Sequence, residues 1–494
     1  MKKIFYVFIS ILTTGLISCK NTLIENPKGF VSPVNFFNSE KECQAAVNGI
    51  YDRLYDIYGN LAVFTALEVA SDLSVRKVST NNEDGTFTYT PNVPGAGAIV
   101  WQYAYNGIMY ANNTISGIKR APISDQAKSR YIGEAIFLRS LYYYTLTSMF
   151  SDVPYIDFAL ESEELVSKAG TMKRTNADSI RTALMADLEH YAPSLLPTVS
   201  GADLGRATQG AAYTLLSHIA LFNRNWKKAE WACQQVIDSK KYKLVNNWGD
   251  IDSIANNPES IFEIQFTYSA TGLKRTHSIY NSFMPYPRSG STSKYDGVDM
   301  GSNTPTTYGH IVPTQRLISY YSANDKRKDH ILAYKYKGVE FNRSKSSAHL
   351  PWFGPRFWDF KAVASVGGRN MIMFRYADVL LMQAEAQIEL DEFDDAKKNL
   401  KLIQDRANIS DITASDKPGL REQLRRERAR ELVGEYGRRI DLVRWDIFLE
   451  SIKSVKDDYA DPANYVEQYK QYYPIPAQEV VKNPNLEQYG PYKQ

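Results

Sequence analysis

Apolar residues recur every three to four positions along most of the chain, a period that predicts helices. Cys43, Ala46, Val47, Ile50, Leu54 and Ile57 form one such stripe. It follows Ser39-x-x-Glu42, a spacing at which side chains cap the first free N–H groups of a helix. Trp101, Tyr105, Ile108, Asn112 and Ile115 mark a second helix, a third runs from about Ser124 to Met149, and a fourth spans about 177–190. Between the first two, residues 59–98 lack a period. They carry turn signals at Asn81-Asn82, Asp84-Gly85 and Pro94-Gly95.

The next helices form a hairpin, 206–223 and 226–238, and here the pattern repeats. Trp226, Ala229 and Val236 correspond to Phe393, Ala396 and Ile403 at a constant offset of 167 residues, each set following an apolar helix. An aromatic residue opening the second helix, then a small Ala that lets two backbones approach, is how helices pair in a tetratricopeptide-like (TPR-like) unit, although a generic helical hairpin has the same outline. A last hairpin, about 420–434 and 438–450, turns across Gly434-Glu435-Tyr436-Gly437. Within it, Arg425-Arg426-Glu427-Arg428 interleaves charges and reads as a solvated helix face.

Residues 261–370 differ. Ile261 to Phe266 alternates like a strand, and the residues after it are rich in Gly, Ser, Pro, Tyr and Trp without a helical period. An irregular stretch of this length is functional or disordered, and its rings argue against disorder.

The amino terminus sets the compartment. Lys2-Lys3 precede an apolar run from Ile4 to Ile17, shorter than the about 20 residues of a spanning helix, so the run reads as a signal peptide. Leu16-Ile17-Ser18-Cys19 matches the bacterial lipobox, with Cys19 as the acylated residue. Cys43 and Cys233 then remain at apolar helical positions. They read as buried thiols, with a disulfide between them left open.

Composition removes several classes of function. The net charge is +3 over 494 residues, and loss of Lys2 and Lys3 brings it nearer neutrality, so there is no basic footprint for nucleic acid. The six His are scattered without zinc-ligand spacing, and no phosphate-cradling glycine loop is present. No metal or cofactor is expected. Asp391-Glu392 and Asp394-Asp395 read as a solvated helix start rather than a catalytic pair.

Several segments in order resemble the SusD/RagB family: Gly133–Tyr144, Phe150-Ser151-Asp152-Val153-Pro154, Gly205–Ala212, Phe374–Ala386, the hairpin Arg426–Trp445, and the C-terminal Tyr473–Glu479 and Asn483–Gln488. Together with the lipobox they span nearly the whole mature chain. The resemblance implies a mostly α fold: TPR-like hairpins in an α–α superhelix, with a large irregular, loop-rich insertion carrying short strands. It implies an outer-membrane lipoprotein, not an enzyme, that binds an oligosaccharide and passes it to a SusC-like TonB-dependent transporter. A peptide ligand, as for RagB-like receptors, is the alternative within this architecture. A helical glycoside hydrolase and a TPR-type interaction scaffold are rivals from other classes. Lys20-Asn21-Thr22 after Cys19 is not an acid-rich export signal, so the outward face rests on the resemblance. The expected organisation is a signal peptide at 1–18, a tether at 19–35, an N-terminal SusD-like helical region at 36–260, the ligand-binding insertion at 261–370 and a C-terminal helical region at 371–494.

An aromatic face stacks on the C–H face of a sugar while nearby polar groups bind its hydroxyls. The candidates in irregular segments are Tyr280, Phe283, Tyr286, Trp352, Phe353 and Trp358, with Arg288 and Arg356 as polar partners. Asp72 and Arg76 are expected to join them from the loop after the first helix. Trp101, Trp226, Trp231 and Trp445 lie on helical faces and are assigned to packing.

Overall fold

Ser39 Oγ accepts from the Glu42 N–H and opens the first helix, α1 (Glu40–Tyr58), while Glu42 reaches back to the N–H of Asn38. The computed structural model describes residues 36–78, 80–269, 275–285, 306–336, 338–341 and 351–493. The lipobox and the whole tether lie outside the described residues. Among those described, no helix is long and apolar enough to cross a membrane.

The chain is mostly helical, as expected. Helices α2 (Ala96–Arg120) and α3 (Asp125–Phe150) pack side by side over α1. From Tyr131 to Phe150 every residue of α3 is buried, the condition of a helix enclosed on all sides. Its charged members are matched: Arg206 donates to Glu134 at 2.8 Å, and Arg139 donates to Asn112 and Asp187, both at 2.8 Å. The close approach of α2 depends on Gly107, where a Cβ would lie 2.3 Å from the Tyr142 ring. That ring is fixed by its hydroxyl, which donates to Ile50 O at 2.6 Å. Gly107→Ala is therefore expected to lower stability by about 1–3 kcal/mol through overpacking, read as a lower urea midpoint with an unchanged slope.

After α4 (Ala177–Tyr191), two hairpins follow the expected repeat: α5 (Gln209–Phe222) with α6 (Trp226–Asp238), and α7 (Tyr376–Glu389) with α8 (Phe393–Ala407). Ala229 and Ala396, the small residues at the matching positions, are fully buried at the two helix–helix contacts. Helix α6 also packs on α7, so the hairpins stack. Helices α7, α8 and α9 (Lys417–Leu432) enclose a second, smaller core.

Residues 59–98, expected to be irregular, contain short helical turns at Leu61–Phe64, Thr65–Val69 and Glu83–Thr86. The turn signals at Asn81 and Gly95 are realised as positive φ, 50° and 53°. Tyr473 ties this loop to the C-terminal segment: its N–H donates to Met149 O, its hydroxyl to Asp84, and its ring stacks on Tyr89 at 4.1 Å.

The strands are short. β1 (Ser74–Arg76) pairs antiparallel with β3 (Ile311–Pro313), and β2 (Ser260–Ile264) with β4 (Met371–Arg375). The observed β2 begins one residue before the expected strand and ends two residues earlier.

The run at 425–428 is corrected at its second half, Arg425 and Arg426 being partly solvated and Glu427 and Arg428 buried. Glu427 and Glu431 are 0 % exposed and Arg428 is 4 % exposed. Arg327 donates to Asp325, Glu427 and Glu431 at 2.7–2.8 Å, and Arg375 donates to Glu259 and Glu431 at 2.6 and 2.7 Å and to Glu435 at 2.9 Å. Arg406 joins Glu259 and Glu431. Burial alone raises the pKa of Glu431, but Arg406, Arg375 and Arg327 outweigh it and hold the carboxyl well below its usual range. Desolvated charges are tolerated here because each faces several counter-charges. The network bolts the loop-rich region to α9.

Both remaining thiols, Cys43 and Cys233, are buried and unbonded to each other. Trp101 is buried as expected, but Trp231, also assigned to packing, is 36 % exposed, with its ring edge-to-face against Tyr213. Trp445 is half-buried, its indole N–H donating to Glu385.

Candidate functional site

Most of the rings expected to face a ligand are packed inward instead. Phe283, Trp352, Phe353 and Trp358 are each at most 2 % exposed. Phe283 stacks on Phe357 at 4.8 Å, Trp352 lies directly beneath Gly309, and the Trp358 indole donates to Phe353 O at 2.9 Å. The physical reason is that irregular backbone offers no apolar helix face, so a loop region must build its core from large rings. Arg356 is likewise 4 % exposed, held by Asp252 at 3.0 Å and by Glu435, with its guanidinium over Trp248. Tyr280 is buried beneath the Arg369 guanidinium, 3.8 Å from the ring centroid. Tyr286 and Arg288 lie outside the described residues.

Asp72 is also a structural group. It is fully buried and accepts from Arg438 at 2.8 Å through both oxygens, and from Arg316 at 3.2 Å. Burial pushes its carboxyl up, but Arg438 and Arg316 bring the balance below the ordinary value. Arg438 opens α10 (Arg438–Arg444). The N-terminus of this helix is further held by Glu68, which accepts from the N–H groups of Gly434, Gly437 and Arg438.

Asp72 and Glu68 thus anchor the root of β1, and β1 carries Arg76 to the surface. There Arg76 donates to Asn81 O at 2.7 Å, and its Nε lies 3.5 Å from His310 Nε2. His310, just before β3, stacks against Tyr308 with centroids 5.4 Å apart and planes inclined by 19°. Tyr308 is 47 % exposed. Beneath it Trp352 fills the space under Gly309, whose φ of 53° suits a residue without a side chain. The result is an exposed aromatic platform with a guanidinium at its margin, on a rigid base. Sequence reasoning reached Arg76 but missed Tyr308 and His310. A ring beside glycine at a strand edge was the available signal.

Burial first, and the Arg76 charge second, lower the His310 pKa to about 4. The ring is therefore neutral near pH 7 and presents one donor and one acceptor nitrogen. The unfolded value is near 6.5. Between the two values the unfolded chain binds more protons, so this group's contribution to stability is present above about 6.5 and is lost as pH falls toward about 4. We expect the His310 ring proton resonances to show no titration from pH 8 to about pH 5.5. A midpoint near 6.5 would show that the ring is not desolvated.

A second feature is a cleft lined in part by Trp358. It has a volume of about 700 Å³, opens between residues 249–256, the β2–β4 pair and residues 355–370, and brings together Tyr280, Arg356 and Trp358 at its walls. Among the described residues no cluster of His, Cys, Asp and Glu is arranged to hold a metal ion.

Comparison with known proteins gives a consistent result. Residues 359–492 match the profile described as the SusD family, and residues 30–221 match one described as starch-binding, associating with outer membrane. A SusD-like protein of Formosa agariphila is 26 % identical over 98 % of this chain and 97 % of its own length. The starch-binding protein SusD of Bacteroides thetaiotaomicron is 25 % identical over 75 % of this chain and 74 % of its own. Among solved structures, surface glycan-binding protein A of Bacteroides thetaiotaomicron in complex with laminarihexaose superimposes with a TM-score of 0.72 at 21 % identity. The match covers 91 % of this chain and 99 % of that one.

Proposed function

The chain belongs to the SusD-like family, and from that premise we propose that it is a cell-surface lipoprotein that captures a neutral glycan and passes it to a SusC-like TonB-dependent transporter. The observation that carries the reading is the Tyr308–His310–Arg76 edge: an exposed Tyr308 ring backed by the partly buried His310 ring, with neutral and charged hydrogen-bonding groups at its margin, on a fixed base. Rings take the apolar face of a sugar, and the polar margin takes its hydroxyls. Relatives described as binding starch or laminarihexaose support a carbohydrate ligand.

The mechanism is affinity followed by hand-over, with no bond made or broken. Acylation of Cys19 supplies the membrane anchor. One acyl chain holds weakly, so a multiply acylated Cys19 is what keeps the receptor beside its transporter. The tether then gives the domain reach while the anchor keeps its local concentration high.

The test is migration of the purified mature chain in native gels cast with starch, laminarin, xylan or mannan. Retardation in at least one gel, with no release of reducing ends, is expected. Unretarded migration in all four would overturn glycan capture, and release of reducing ends would favour a helical hydrolase.

A further inference from the structure

We infer that the cleft between residues 249–256 and 355–370 is a second carbohydrate site, separate from the Tyr308 edge and suited to a short neutral saccharide; the inference rests on the glycan-binding reading above. The cleft's volume of about 700 Å³ falls within the about 300–1,000 Å³ of small-molecule sites. Its mouth carries two rings, Tyr268 and Phe360, each 36 % exposed. Both are oriented rather than loose. The Tyr268 hydroxyl donates to Asp359 at 2.9 Å, and Phe360 stacks on Tyr336 with centroids 5.9 Å apart. Large rings held in place yet left in water are what a saccharide face requires.

The floor supplies the complementary polar groups. Asn256 and Gln265 exchange amide hydrogen bonds at 3.0 and 2.9 Å, and Asn370 donates to both Gln265 and Glu263. Gln265 is saturated by Asn256, Asn370 and Glu263 O, but Asn256 keeps a donor and an acceptor position and Asn370 an acceptor position for a ligand. Deeper in, Asp252 is bound by Arg356 at 3.0 Å but reaches Arg369 only at 3.8 Å, longer than a direct hydrogen bond. An adjacent pair of hydroxyls can bridge such a gap, donating to the carboxylate and accepting from the guanidinium. The carboxylates of the cleft are already engaged: Asp252 and Glu435 by Arg356, Asp359 by Tyr268, Glu263 by Asn370. These four carboxylates share the lining with the cations Arg356, Lys361 and Arg369, and this near balance favours a neutral, hydroxyl-rich ligand over an ion.

The experiment is calorimetric titration with the hexasaccharide of whichever polysaccharide retards the wild type: maltohexaose, laminarihexaose, xylohexaose or mannohexaose. Two equivalents per chain are expected for the wild type. One is expected for Tyr268→Ala with Phe360→Ala, and one for Ile254→Arg, which fills the cleft mouth from a rim position that is 50 % exposed and so leaves the fold intact. Tyr308→Ala should weaken the other equivalent about tenfold and leave the cleft equivalent unchanged. A single equivalent weakened by Tyr308→Ala and untouched by both cleft variants overturns the inference while leaving the proposed function standing. A single equivalent abolished by the cleft variants and untouched by Tyr308→Ala supports the cleft and removes the edge. Absence of any glycan binding in the wild type removes both readings.

Discussion

Replacing Tyr308 by alanine is expected to weaken binding at the β1–β3 edge about tenfold, and Tyr308→Ala with Arg76→Ala about a hundredfold. Loss of a stacking ring costs about 1 kcal/mol beyond its area, and loss of a charge-assisted hydrogen bond about 1.5–3 kcal/mol; each 1.4 kcal/mol is tenfold. Tyr308 is nearly half exposed, so the helical circular-dichroism signal and thermal midpoint of the single variant should match the wild type. Wild-type affinity in the double variant would clear this edge of a binding role. By contrast, Trp352→Ala should act through stability, because Trp352 supports Gly309 from beneath at 2 % exposure.

The largest effect on stability is expected from Arg375→Met. This guanidinium contacts Glu259, Glu431 and Glu435, and its removal leaves all three buried carboxylates short of a counter-charge. Breaking a buried ion pair from one side costs about 3–5 kcal/mol, a large part of the about 5–15 kcal/mol that holds a native protein together. The deficit should shrink in acid. In the wild type, the depressed pKa of Glu431 contributes stability above the unfolded value of 4.5 and loses it as pH falls. In the variant the orphaned carboxyls, raised by burial, regain stability as they protonate. The unfolding free energies of the two proteins should therefore converge between about pH 7 and 4. Arg421→Met serves as the contrast. Arg421 pairs with Glu389 at 42 % side-chain exposure, and the expected cost is below about 1 kcal/mol. Equal losses at the two sites, or a pH-independent difference, would show that the network is not desolvated as described.

The scaffold was legible because its signals are local. Ser39 caps a helix where its spacing placed it, the third helix starts at Ser124 as expected, and the Trp226/Phe393 repeat folds as two stacked hairpins. The ion network was not legible. The partners of Arg327 at Glu427 and Glu431 lie about a hundred residues away, so Arg425-Arg426-Glu427-Arg428 looks like any i,i+3 surface pattern. The ligand face was half legible. A concentration of rings marked the right region, but sequence gives no exposure outside a regular period. Trp352, Phe353 and Trp358 turned inward to form the loops' own core, while Tyr308, Tyr268 and Phe360 were left in water. The same gap explains Trp231, whose place on a helix implied packing and whose ring is partly solvated.

The sharpest measurement is hydrogen–deuterium exchange of the mature chain with and without a saturating amount of the glycan that retards it. Slowed exchange is expected within residues 76–82 and 306–313, with α5 to α8 unchanged. Slowing confined to those helical hairpins, with the β1–β3 edge exchanging as in the free protein, would contradict capture at that edge.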